Sequence, residues 1–161
     1  MLITIQNYTL QDIISGIQLQ LDRAAHSIEV RDLAIQINST ESNPISTVFD
    51  WIKKNVKYVS DPVKQDGIIE LFISPVKMAI DYKNGQALAG DCDDMAILAT
   101  ALYRQLGMQS NVIILNLVGQ GYDHAISRVY SEQLSTFIMI DPSANFPLGW
   151  VEQSVENIIV P

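Results

Sequence analysis

Along the first two-thirds of the chain apolar residues recur every three or four positions; after that they crowd into short runs between turn residues. Leu10, Ile13, Ile14, Ile17 and Leu21 share one helical face behind Thr9, a residue suited to cap it, so a first helix is predicted there. Its charged end, LDRAAHS, leads into IEVRDLAIQIN, where Val30, Leu33, Ala34 and Ile37 form the face of a second helix. STESN, residues 39–43, is the most linker-like stretch. Asn43 then Pro44 reads as a cap followed by proline at the first helical position, opening PISTVFDWIKKNV with Val48, Trp51, Ile52 and Val56 together. KYVSDP ends that helix and turns the chain, with Tyr58 expected against the sheet. SPVKMAIDYKNG repeats the punctuation, with Ser74 as cap, Pro75 behind it and Gly85 past the end. A last helix starts at Cys92, carries Met95, Leu98, Ala99, Leu102 and Leu106 as one stripe, and stops at Gly107.

NVIILNLVG, DHAISRVY and TFIMIDPS are rich in β-formers and are separated by QGY and SEQLS, which read as turns. Helices first and an antiparallel meander afterwards predict an α+β fold rather than alternating α/β.

The chain has 161 residues, 48% of them hydrophobic, which fits one domain with a real core. Ten basic and eighteen acidic residues give a net charge of −8. That balance argues against nucleic acid and against an anionic membrane surface, and it leans toward a neutral or basic substrate. No apolar run approaches the roughly 20 residues of a membrane helix. The start, MLITIQNYTLQDII, lacks the basic region of a signal peptide, so a cytoplasmic setting is expected. One cysteine excludes an internal disulfide, and with two histidines it leaves too few ligands for an ordinary structural zinc; no metal or cofactor is expected.

That cysteine, Cys92, follows Gly90 and Asp91 at the first turn of a predicted helix. A lone cysteine is more often a small buried hydrophobe than a nucleophile. A helix start favours a thiolate, but Asp93 and Asp94 place negative charge beside it, so a histidinium partner matters more than usual. With residue 133 as the turn centre of the last hairpin, paired positions sum to 266, which sets His124 opposite position 142 and one residue from Asp141. An imidazole and a carboxylate so placed suit the orienting half of a triad. His26, at the charged end of a helix, is expected to face solvent, and Trp51 and Trp150 are core or edge aromatics unless either lines a groove.

GDCDDMAILATALYRQLGM resembles the cysteine segment of the transglutaminase-like superfamily, DHAISRVY its histidine strand, and FIMIDPS its aspartate strand with the Asp-Pro-Ser ending. EVRDLAIQI, VFDWIKKNVKYVSDP, LFISP and PLGW resemble the compact members found in phages and prophages, so the likeness runs from about residue 24 to 152. It implies a papain-like core in a single domain, with a helical lead-in over 1–41 and a catalytic-type core over 42–161, the Cys-bearing helix packed on a C-terminal antiparallel sheet. By position it implies Cys92 as nucleophile, His124 as general base and later acid, and Asp141 as the residue orienting His124. It implies acyl transfer on a protein or peptide substrate through a thioester, with the Cys92 N–H facing the oxyanion. Gln86, six residues before Cys92, has the spacing of a papain-like oxyanion glutamine without the matching neighbours. Many members carry an aromatic residue soon after the histidine, where this chain has Ala125 and Ile126. The alternative reading is a structural or accessory protein of a phage particle, built on the same fold and partnered by phage structural proteins.

Overall fold

The computed structural model describes residues 2–5, 9–39, 43–64, 67, 68, 70–119 and 121–161. Among them β1 (Leu2–Ile5) precedes three helices, α1 (Leu10–Ala25), α2 (Ile28–Asn38) and α3 (Pro44–Asn55). Short strands follow: β2 (Val56–Tyr58), β3 (Val63–Lys64), β4 (Gly67–Ile68) and β5 (Glu70–Ile73). Next come α4 (Pro75–Lys83), β6 (Leu88–Gly90) and α5 (Cys92–Gln105). The chain closes with β7 (Ser110–Asn116), β8 (His124–Ser131), β9 (Thr136–Ile140) and β10 (Glu156–Val160). The fold class is α+β, with the Cys92 helix at its centre.

The helices begin where their caps place them. Thr9 Oγ1 accepts from Asp12 N at 3.3 Å while Asp12 accepts from Thr9 N at 2.8 Å, a reciprocal box that satisfies two exposed donors. Asn43 Oδ1 accepts from Ile45 N at 3.1 Å ahead of Pro44, and Ser74 Oγ accepts from Lys77 N at 3.0 Å ahead of Pro75. Gly85, at φ 71°, and Gly107, at φ 76°, take the left-handed turn that ends α4 and α5.

Helix α5 departs from its expected single stripe: every residue from Asp93 to Tyr103 is buried. The cause is its position, since α1, α2 and α3 pack on one side of it and β7 and β8 on the other. A helix enclosed on all sides needs small residues where neighbours come close, and Ala96, Ala99 and Ala101 supply them. Tyr103 can be buried whole because its hydroxyl donates to Ile45 O at 2.8 Å.

The main sheet has the order β10-β7-β8-β9 and is antiparallel throughout. The meander from β7 to β9 agrees with the sequence pattern; β10, which returns to pair Ile158 with Ile114, adds a fourth strand beyond it. Lys57 and Tyr58 of KYVSDP belong to strand β2, which pairs in parallel with β6, Tyr58 opposite Gly90. Three residues are too few for periodicity to reveal. Residues 40–42 of the STESN loop and Gln120 of the QGY turn lie outside the described residues. No described helix is long and apolar enough to cross a membrane.

Candidate active site

Strand β6 delivers the chain to the start of α5. Asp91 is the N-cap of α5 and Cys92 its first residue, half-buried. Asp91 N donates to Asp94 Oδ2 at 3.3 Å, and Ile73 N donates to Asp94 Oδ1 at 2.6 Å, so Asp94 ties β5 to the helix start. Gly90 is required there, because a Cβ at that position would lie 2.7 Å from Asp94 Cβ. Burial pushes the Asp94 carboxyl up to about 8, with Asp91 and Asp61 adding to the rise against the amide hydrogen bonds. Near neutral pH Asp94 is therefore a protonated structural acid rather than a charge set against the thiol. Carboxylate oxygens of Asp91, Asp93 and Asp94 lie within 4.8 Å of one another. With both Asp94 oxygens held by backbone N–H groups, this arrangement is that of a helix start rather than a cation cage.

His124 opens β8, its side chain 16% exposed, and its Nε2 donates to Asp141 Oδ2 at 2.8 Å. Asp141 follows β9 and is fixed on its other oxygen: Oδ1 accepts from Ser143 Oγ at 2.6 Å, Ser143 N at 3.2 Å and Ala144 N at 3.3 Å. The Asp-Pro-Ser turn is thus a socket for the carboxylate. Burial alone would raise Asp141, but the hydrogen bonds from His124 and Ser143 and the nearby imidazole outweigh it and hold the carboxyl below its usual range. Burial alone would lower His124; hydrogen bonds to Asp141 and Cys92 prevail and push the imidazole up to about 10. Cys92 and the His124 ring that Asp141 holds both line one cleft.

The hairpin register differs by one residue from the expected one. Its pairs, such as Ser127 with Ile140 and Ser131 with Thr136, sum to 267, because the turn holds four residues and closes through Ser135 at φ 51°. A one-residue slip changes the face every side chain takes. Extended past its last pair, this register puts Asp141 on the His124 face, where a sum of 266 would have put it on the other.

Cys92 and His124 line a cleft of about 440 Å³. Ile13, Ile17, Ile114 and Ala125 form its apolar lining, so α1 supplies apolar surface where the chain lacks an aromatic after the histidine. Tyr58, Asp61, Asp91, Asp93 and Asp123 form its polar lining. Tyr58 is 48% exposed and faces this cleft instead of packing against the sheet, because its strand runs beside β6 and ends at the cleft. Its place and that of Asp61 become visible only through the β2–β6 pairing, whereas Asp123 could have been suspected from its neighbour His124.

Gln86 is not brought to this cleft. It is exposed in the turn after α4, and the extended β6 between the two positions carries it away from Cys92. His26 is exposed at the end of α1 with its Nδ1 2.9 Å from Asp22 O. Trp51 packs edge-on to Tyr82 with ring centres 5.0 Å apart, against the core. Trp150 is 60% exposed and leans on Phe146.

A thiol on the first turn of a central helix, facing a histidine–aspartate pair carried by an antiparallel sheet, defines a class of α+β thiol proteins. The family model of the transglutaminase-like superfamily matches residues 31–142, and the chain belongs to that superfamily. A candidate cysteine protease from Cytophaga hutchinsonii has a similar structure, with a TM-score of 0.54 at 21% identity over 88% of this chain and 49% of that one. A candidate protease from Parabacteroides distasonis has a TM-score of 0.54 at 12% identity, over 80% of this chain and 25% of that one. At these identities the likeness is one of fold, and the chain spans about half and a quarter of the lengths of those two proteins. No curated protein matches the chain.

Proposed function

We propose that the chain is a thiol-dependent acyl-transfer enzyme of the peptidase or amidase kind. One observation carries this reading: His124 Nε2 is held by Asp141 at 2.8 Å while His124 and Cys92 line the same open cleft. With an imidazole pushed up to about 10, His124 rests as the imidazolium at neutral pH, and Cys92 reacts as the thiolate beside it. The sulfur attacks an amide carbonyl, a C–S bond forms, and the carbonyl electron pair moves to oxygen near the Cys92 N–H at the helix start. The C–N bond then breaks, His124 gives its proton to the departing amine, and a thioester remains. Water, deprotonated by the now neutral His124, attacks the thioester; the C–S bond breaks, the acid leaves, and the thiolate–imidazolium pair is restored. Asp141 orients the ring throughout and stabilises its charged form.

Alkylation by iodoacetamide across pH tests this. Cys92 in the folded chain should label readily near pH 6, and His124→Ala should slow the reaction at least about 10-fold. A thiol that labels only in denaturant would sink the proposal, since no carbonyl could reach it either; the chain would then be a packing module, as in a phage-particle protein.

A further inference from the structure

Lys53 and Lys54 stand in the last turn of α3, where a cation suits the helix dipole. Lys53 also reaches across the fold. Its Nζ donates to Ala144 O at 3.0 Å and to Phe146 O at 3.3 Å, carbonyls that lie 91 and 93 positions further along the chain. Both belong to the segment that seats Asp141. We propose that Lys53 is a positioning residue for the acyl-transfer site, its ammonium holding residues 144 and 146 so that the turn keeps Asp141 aimed at His124. This rests on the acyl-transfer reading above.

Residues 141–146 form neither helix nor strand, so the shape of this turn depends on the bonds made to it. Its N–H side faces the carboxylate: Asp141 Oδ1 accepts from Ser143 N at 3.2 Å and Ala144 N at 3.3 Å, besides Ser143 Oγ at 2.6 Å. Its carbonyl side faces Lys53. Ala144 is therefore held twice, its N–H by Asp141 and its C=O by Lys53, which limits how far the residue can rotate. An exposed lysine with a single contact is a poor anchor, because its long side chain keeps its freedom. Lys53 makes three contacts. Besides the two carbonyls, its Nζ lies 5.3 Å from the centre of the Phe49 ring, one turn back on α3, and Phe49 is buried. The helix beneath is fixed too: Val48 and Ile52 are fully buried, and α3 packs on α5, which begins at Cys92. The ammonium is thus presented by a rigid element that also touches the thiol helix. Charge alone and positioning have opposite consequences for His124. A nearby cation disfavours the imidazolium, so removing one by itself would raise the imidazole pKa. A cation that seats Asp141 supports the imidazolium, and removing it lowers that pKa.

Lys53→Met tests this on the full chain, since methionine keeps most of the side-chain length and removes both the charge and the donors. Lys54→Met is the control, taking an equal charge from the same turn of α3. NMR titration of the His124 ring protons is the measurement. The His124 pKa should fall by about 0.5 to 1 in Lys53→Met and stay within about 0.2 of wild type in Lys54→Met. A value unchanged or raised in Lys53→Met, or lowered as much by Lys54→Met, would overturn the proposal. The titration does not require Cys92 to react, so the two readings part cleanly. A wild-type thiol that labels with iodoacetamide, beside an unmoved ring in Lys53→Met, defeats this inference alone. A wild-type thiol that does not label defeats the acyl-transfer reading.

Discussion

Asp141 is worth more to His124 than to its own strand end. Nearly all of its surface is buried, its Oδ2 takes the imidazole N–H, and its Oδ1 is held by three donors from residues 143 and 144. Asp141→Asn keeps the size and leaves an oxygen for one side of the socket, but removes the charge that supports the imidazolium. Burial then acts on His124 with less opposition, so its pKa should drop from about 10 to below 7, followed by the ring-proton shift in NMR titration. Acyl transfer and Cys92 alkylation at pH 7 should both fall by roughly 10²-fold or more. A ring that still titrates near its original value would refute the role given to Asp141. At this scale the sequence was informative about order and proximity, because hairpin order and a short turn bring 124 and 141 to neighbouring positions, but which face Asp141 takes depends on the four-residue turn that sets the register. The Ser143 bonds that immobilise the carboxylate were hidden in the Asp-Pro-Ser turn, and the neutral state of Asp94 was hidden in its burial between β5 and α5.

Among the elements, what the sequence announced was whatever carries its own punctuation. Thr9, Asn43, Ser74 and Asp91 mark helix starts by local chemistry, and Gly85 and Gly107 mark ends by a backbone conformation that other residues resist. β2, β6 and β10 carry no such signal: they are short, and their pairing depends on partners more than 25 positions away. For that reason the sequence does not reveal that Tyr58 faces the cleft. The contact between α1 and β5 is equally silent in sequence. A Cβ on Gly16 would lie 2.5 Å from Phe72 Cε2, and Phe72 is fully buried, so the ring cannot swing aside. Gly16→Ala, an improvement by helix propensity alone, should instead destabilise the chain by about 1–3 kcal/mol in urea denaturation. It should also disturb the cleft, because Ile13 and Ile17 on the same helix line it. A stabilised Gly16→Ala would show that the contact is not close.

Taken over the whole molecule, three buried groups give stability a definite dependence on pH. Asp94 keeps its proton in the folded chain up to about 8, whereas an unfolded aspartate releases it near 3.8. The folded state therefore binds more protons across that interval, and stability falls as pH rises through it. His124 acts in the same sense at higher pH, holding its proton to about 10 against 6.5 when unfolded. Where the two windows overlap, between 6.5 and about 8, each group contributes about 1.4 kcal/mol per pH unit, so unfolding free energy should fall by up to about 3 kcal/mol per unit there. Asp141 works the other way, its lowered pKa giving stability that is lost as pH drops below the usual carboxylate range. The folded chain should be most stable near pH 4, where folded Asp141 is already ionised and unfolded Asp94 only begins to lose its proton, and thermal midpoints should fall steadily from there to pH 10. The net charge of −8 adds self-repulsion in the same direction, so wild type alone cannot assign the slope to these groups. Asp94→Asn can: the amide oxygen still accepts from Ile73, nothing at that position ionises, and the loss of stability between pH 4 and 6.5 should largely disappear while the loss above pH 8 persists. Equal slopes in the variant and wild type across pH 4–6.5 would mean that Asp94 ionises in the folded chain as it does in the unfolded one.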